Sequence, residues 1–259
     1  MLSRRNFLKT TSAAAGTITV LPYAVMAGDN AMSFANGAVK VTPVSHASVV
    51  METSMGVIYA DPVGDPAQYV GLPPADLVLI THHHGDHLNN ETLAAVLPDK
   101  ATLISNKGAR DKMSADLAAR AQVIGNMQTT DFGDIGIEAI AAYNTTEGRL
   151  KFHPKGRDNG YVLNIGGVRI YLSADTEDVP EMRALKNIDV AFVCMNLPFT
   201  MDIKAAASAV AAFRPSVVIP YHYRGKDGGT QDPKAFAAML DSAIQVAQGD
   251  WYGKGKGLI

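Results

Sequence analysis

The run Asp76-Leu-Val-Leu-Ile-Thr81 leads straight into His82-His83-His84-Gly85-Asp86-His87, so four of the chain's seven histidines share one turn. The apolar run reads as a buried strand, and a strand end is a rigid mount for side chains. Imidazoles at i and i+2 on a turning loop can converge on one ion while Asp86 and His87 point toward a second. Mixed nitrogen and carboxylate donors suit zinc, manganese or iron rather than calcium or magnesium. A chain carrying such a cluster needs a core large enough to hold it still. With 259 residues, 47% of them hydrophobic and 19% charged, this one has the material for a compact fold and not the composition of a disordered chain.

The rest of the pattern alternates between strand-rich and strand–helix blocks. Residues 39–44, 47–53 and 56–60 read as an opening antiparallel meander, followed by the strand 76–81, a helix over 91–97, a strand over 101–105 and an amphipathic helix over 109–121. A second β block covers 122–124, 135–142, 160–165 and 168–173, with Gly166-Gly167 as a hairpin turn. Strand 190–195, helix 203–213, strand 216–220 and helix 234–242 complete the chain. Two rounds of strands then helices predict an α/β (α+β) sandwich of two mixed sheets packed face to face, with helices outside.

Residues 1–27 read as an export leader rather than as fold. Arg4, Arg5 and Lys9 precede an alanine-rich apolar stretch, and Val25-Met26-Ala27 offers small residues at a cleavage position. Ser3-Arg4-Arg5-Asn6-Phe7-Leu8-Lys9 resembles the twin-arginine consensus, which implies recognition by the twin-arginine export machinery, folding before export and a periplasmic or exported destination. Residues 28–259 then form a single domain. The formal charge is −2, and the leader takes three bases and no acid, so nothing favours a polyanion and no nucleic-acid partner is expected. Cys194 is the only cysteine; it can form no intramolecular disulfide and reads as a small buried hydrophobe. Nothing in the pattern specifies an oligomer.

Thr81-His82-x-His84-x-Asp86-His87 resembles the signature of the metallo-β-lactamase superfamily. Tyr171-Leu-Ser-Ala174-Asp175-Thr176 is similar to that family's strand ending in Gly-Asp-Thr, and Ile219-Pro-Tyr-His222-Tyr223 to the late strand bearing its last histidine. His46-Ala-Ser, Asp61-Pro62, Ala142-Tyr-Asn144, Glu181-Met182 and Thr200-Met-Asp202 are similar to the branch containing ascorbate-6-phosphate lactonase and uncharacterised metal-dependent hydrolases. The resemblance implies an αββα sandwich with two divalent transition-metal ions along one edge, zinc first, with Mn2+ and Fe2+ as alternatives. It implies His82 and His84 on metal one, Asp86, His87 and His222 on metal two, and Asp175 bridging.

The resemblance leaves one ligand of metal one open, because relatives usually have a histidine where this chain has Asn144. His153 is a candidate to fold back into the place, with the Asn144 carbonyl oxygen, water or a vacancy as alternatives. Ala174 stands where a glycine is usual, which bears on the local turn. Asp86 and His46 are the candidate catalytic residues, Asp86 to orient the nucleophile or carry a proton, His46 as a proton-transfer group or a buried structural imidazole. Asp61 reads as a carboxylate for the far nitrogen of a metal-bound imidazole.

The segment 145–158, with Arg149, Lys151, Lys155 and Arg157, reads either as a solvated connector or as a flap over an anionic substrate. The expected function is a metal-dependent hydrolase that uses a metal-activated hydroxide on a small-molecule ester, lactone or phosphoester. A non-catalytic periplasmic metal- or ligand-binding protein and a β-lactamase remain open. A di-iron redox site is disfavoured, since that type usually carries glutamate at the position of His84.

Overall fold

Alternate side chains of the strands feed two separate cores, as a pleat of period two requires. Ile58, Ala60, Leu77 and Leu79 turn into the main core, whereas Tyr59, Val78 and Ile80 turn to a second one on the opposite face. The computed structural model describes residues 24–25 and 31–253. The export leader expected over 1–27 lies outside them, apart from the two-residue strand β1 (Ala24–Val25).

β1, β2 (Met32–Phe34), β3 (Val39–Ser45), β4 (Ser48–Thr53) and β5 (Gly56–Ala60) run as an antiparallel meander. The same sheet continues in parallel through β6 (Leu77–Leu79), β7 (Thr102–Ser105) and β8 (Ala121–Val123). The second sheet repeats the plan. β9 (Thr129–Phe132), β10 (Ile135–Ala142), β11 (Asp158–Ile165) and β12 (Val168–Leu172) are antiparallel, and β13 (Val190–Cys194), β14 (Val217–Tyr221) and β15 (Gln245–Val246) are added in parallel. The β11–β12 hairpin closes through Gly166 and Gly167, both at positive φ, as the sequence predicts.

The main core joins residues of both sheets, including Val49, Met51 and Leu77 from the first and Ile137, Leu163 and Phe192 from the second. Helices α1 (Asn90–Val96), α2 (Lys107–Arg110) and α3 (Ala115–Arg120) cover the outer face of the first sheet through Leu93, Ala109 and Leu117. α4 (Pro180–Arg183), α5 (Ile203–Phe213) and α6 (Pro233–Ala237) accompany the second, with Phe213 packed edge-on against Tyr171 of β12. This is the expected sandwich of two mixed sheets flanked by helices.

Two helices differ from expectation. The helix predicted over 109–121 is two helices, because Asn106 caps α2 at the Ala109 N–H and Asn90 binds both the Lys112 carbonyl and the Ser114 N–H. Those polar ties compete with helix continuity. The helix predicted over 234–242 stops at Ala237, and Asp241 makes a local turn by accepting from the Ala243 N–H. The short strands β2, β9 and β15 and helix α4 have no counterpart in the sequence reading; runs this short carry little periodic signal.

Candidate metal centre

Every expected site residue outside the segment 145–158 follows the C-terminal end of a strand, and those ends lie together. His46 follows β3, Asp61 follows β5, the histidine motif follows β6, Asn144 follows β10, Asp175 follows β12 and His222 follows β14. His46, Asp61, Ala174 and His222 all have φ between 44° and 55°. Non-glycine residues in this left-handed region cost about 1 kcal/mol or more, and the turn they make swings each side chain out of its strand's pleat. The alanine in place of glycine thus keeps the turn, and Asp175 still faces the cluster. Across the sandwich, Asn159 N–H donates to the Thr81 carbonyl at 3.1 Å and the Tyr161 hydroxyl to the Ile80 carbonyl at 2.9 Å, fastening the root of the motif to the second sheet.

Six histidines and two aspartates form three groups, two of them sharing His82, and within each group the nitrogen and carboxylate ligand atoms lie within 4.8 Å of one another. The groups are His82, His84 and His153; His82, His87 and Asp175; and His46, Asp86 and His222. Asp175 stands between the first and the last: its Oδ2 is 3.3 Å from His153 Nε2, and its Oδ1 is 3.1 Å from His222 Nε2 and 3.4 Å from His87 Nε2. Asp86 Oδ2 lies 3.4 Å from His222 Nε2 and 3.3 Å from His46 Nε2.

The far sides of the rings show what the near sides are for. His87 Nδ1 is 2.7 Å from the Asp61 carboxylate, and His153 Nδ1 is 3.1 Å from Asp158, itself gripped by Arg157 at 2.7 and 2.8 Å. A carboxylate on Nδ1 holds the proton there and leaves Nε2 as a lone pair. His87 Nε2, His153 Nε2, His222 Nε2 and Asp175 Oδ1 are buried without a hydrogen-bond partner. His222 differs, since its Nδ1 faces the Asn196 amide nitrogen at 2.9 Å. Buried nitrogens and a carboxylate oxygen left unpaired and turned on one another are costly unless a cation lies among them. The donor set therefore fits transition-metal ions.

Electrostatics agree with a cation-binding array. Burial, aided by its histidine neighbours, holds His82 well below the ordinary imidazole range. Burial and His153 push His84 down to about 4, and burial and His222 push His46 down to about 4, so these rings are neutral donors at pH 7. His222 is raised to about 9: burial opposes protonation, but Asp175 and Asp86 outweigh it. Asp175 lies well below the usual carboxylate range because His222, His87 and His153 outweigh its burial.

His153 does fold back onto His82 and His84, with ring centroids 5.0 and 4.8 Å away. Asn144 sits beside it, accepting nothing through its buried Oδ1, while its amide nitrogen donates to the Arg149 and Phe199 carbonyls at 3.0 and 2.7 Å. His83 lies outside the three groups. The segment 145–158 is exposed over most of its length and is tied to the protein by ion pairs: Arg149 with buried Glu177, Arg157 with Asp158, and Lys155 with Glu181. Of the cations expected to greet a substrate, Arg149 and Arg157 are engaged with protein carboxylates, whereas Lys151 and Lys155 are exposed. Sequence reading missed Asp158 and Tyr252 as partners of site histidines, since neither lies in a motif. Cys194 is buried, as expected.

Residues 40–222 match the model of the β-lactamase superfamily domain. The chain belongs to the metallo-β-lactamase superfamily. Within that superfamily it is 30% identical to a UPF0173 metal-dependent hydrolase of Anaeromyxobacter over 82% of its own length and 84% of the relative's. It is also 30% identical to a UPF0173 metal-dependent hydrolase of Pyrococcus furiosus, over 80% of this chain and 95% of that one. Among solved structures, a proposed metal-dependent hydrolase of Parabacteroides distasonis superposes with a TM-score of 0.73 at 38% identity, covering 83% of this chain and 94% of the other. Igni18, a metallo hydrolase of Ignicoccus hospitalis, shares the fold with a TM-score of 0.64 at 24% identity, over 82% and 95% of the two chains. This is a metal-dependent hydrolase of the metallo-β-lactamase fold.

Proposed function

We propose that the chain is a dinuclear hydrolase of a small-molecule ester, lactone or phosphoester, with zinc as the first choice of metal. The observation that carries this reading is the set of orphaned buried donors around Asp175: His153 Nε2 on one side, His87 Nε2 and His222 Nε2 on the other. His82, His84 and His153 would hold one ion, His87, His222 and Asp86 the other, with Asp175 between. Bound there, the ions would supply a water of lowered pKa and polarise a carbonyl or phosphoryl oxygen.

The chain's own residues do the remaining work. His82, His87, His153, Asp175 and His222 are buried, which keeps bulk water away and fixes their geometry. His84 and Asp86 are only partly buried; the Asp86 side chain is one-third exposed, so its carboxylate would stand at the mouth, able to orient a nucleophile or carry a proton toward a leaving group. Export by the twin-arginine route, with Arg4 and Arg5 as its mark, remains part of the proposal.

The test compares zinc-loaded and chelated protein on p-nitrophenyl acetate, a γ-butyrolactone and bis(p-nitrophenyl) phosphate, with metal content measured by elemental analysis. Close to two ions per chain and chelator-sensitive turnover of at least one probe are expected. A fully loaded protein inert to all three would favour a non-catalytic binding protein.

A further inference from the structure

Tyr252 lies beyond the family match, which ends at His222, yet its hydroxyl is 2.8 Å from His46 Nδ1. The segment that carries it is pressed onto the site. The Trp251 carbonyl accepts from the His46 N–H at 3.4 Å, and the His46 carbonyl accepts from the His222 N–H at 3.2 Å. The two left-handed histidines are thereby stitched in series to the C-terminal segment. Trp251 is wholly buried and packs edge-on against Phe192 and Tyr221. The Arg224 guanidinium lies over the Tyr252 ring at 4.2 Å.

Hydrogen-bond accounting decides which way the proton runs. The Tyr252 oxygen already accepts from the Arg224 N–H at 3.3 Å, and a phenol has one proton to donate. His46 Nδ1 is the acceptor in reach. Accepting there places the proton of a neutral imidazole on Nε2, which faces Asp86 Oδ2 at 3.3 Å. The alternative, Nδ1–H toward Tyr252, would leave the phenol proton without its acceptor and turn an Nε2 lone pair on a carboxylate.

We propose that Tyr252 is a positioning residue: its hydroxyl holds His46 as the Nε2–H tautomer, making His46 a hydrogen-bond donor that orients Asp86 and not a ligand of a metal ion. This builds on the reading of Asp86 as the carboxylate at the mouth of the site. It also separates His46 from the other histidines, although His46, Asp86 and His222 are near enough to form a three-ligand group.

The experiment is a long-range proton–nitrogen NMR spectrum of the full chain with 15N-labelled histidine, recorded zinc-free and during zinc addition. His46 is assigned by its loss in His46→Gln. In wild type, His46 should show an acceptor-type Nδ1 and a protonated Nε2 in both states. Tyr252→Phe, which keeps the ring under Arg224, should lose this single pattern and give mixed tautomers, while Tyr223→Phe, a ring neighbour 4.9 Å away, should leave it intact. A proton on Nδ1 in wild type overturns the proposal, as does an Nε2 resonance that moves to the metal-bound range as zinc is added. An unchanged His46 pattern in folded Tyr252→Phe overturns it too. Because the zinc-free spectrum reads the tautomer directly, the result stands apart from whether any probe is hydrolysed.

Discussion

Asp61 Oδ2 lies 2.7 Å from His87 Nδ1, with both side chains buried, and the same carboxylate accepts the Thr81 N–H at 2.7 Å and the Thr81 hydroxyl at 2.6 Å. One residue after β5 therefore holds both the first and the last residue of the histidine motif. Among the described strands none includes any part of this loop, so such bonds, with those from Asn106 and Asn159 to the Thr81 carbonyl and from the His87 N–H to the His84 carbonyl, give it its shape. Losing the carboxylate on a metal-bound imidazole typically weakens metal affinity about 10–100-fold. Asp61→Asn is expected to show a loss of that size in competition with a chromogenic chelator while retaining the fold by circular dichroism; wild-type affinity would sever the link between Asp61 and the metal.

His153 and Asn144 should separate cleanly. His153→Ala is expected to lower the bound metal from near two ions toward one, because it removes the ring closing the group with His82 and His84. Asn144→Ala is expected to keep the metal and lose about 1–3 kcal/mol of stability, because two carbonyls lose their donor. Elemental analysis beside thermal denaturation reads both. The reverse pattern would make the amide the ligand.

Glu177 predicts an acid-sensitive contribution to stability. Burial alone would raise its carboxyl above 4.5, but donors from Thr145 and Thr146 hold it below. A depressed folded pKa gives stability that is fully present above the unfolded value and lost as pH falls through the folded one. The difference in unfolding free energy between wild type and Glu177→Gln should thus be constant above about pH 5 and shrink as the pH is lowered beneath it. Denaturant titrations at a series of pH values check this, and a difference independent of pH would remove the role.

Arg4→Lys together with Arg5→Lys is expected to trap the precursor inside the cell, as fractionation and immunoblotting would show. Continued export would mean that the general secretory route suffices.

The sequence by itself determined the ligand chemistry and the architecture. The dense motif behind an apolar strand announced a metal site, and the period-two and helical patterns placed the two sheets, because burial of one face is a local property that leaves a periodic trace. What the tertiary structure decided is which polar group stands opposite which. Asp61 reaches His87, Asp158 reaches His153, and Tyr252 reaches His46 from 206 residues away. The broken helix 109–121 has the same origin, since its interruption comes from Asn90 on another helix. Periodicity reports that a side chain is buried. Its partner is chosen by how strand ends far apart in sequence are brought to one edge, and that depends on the fold as a whole.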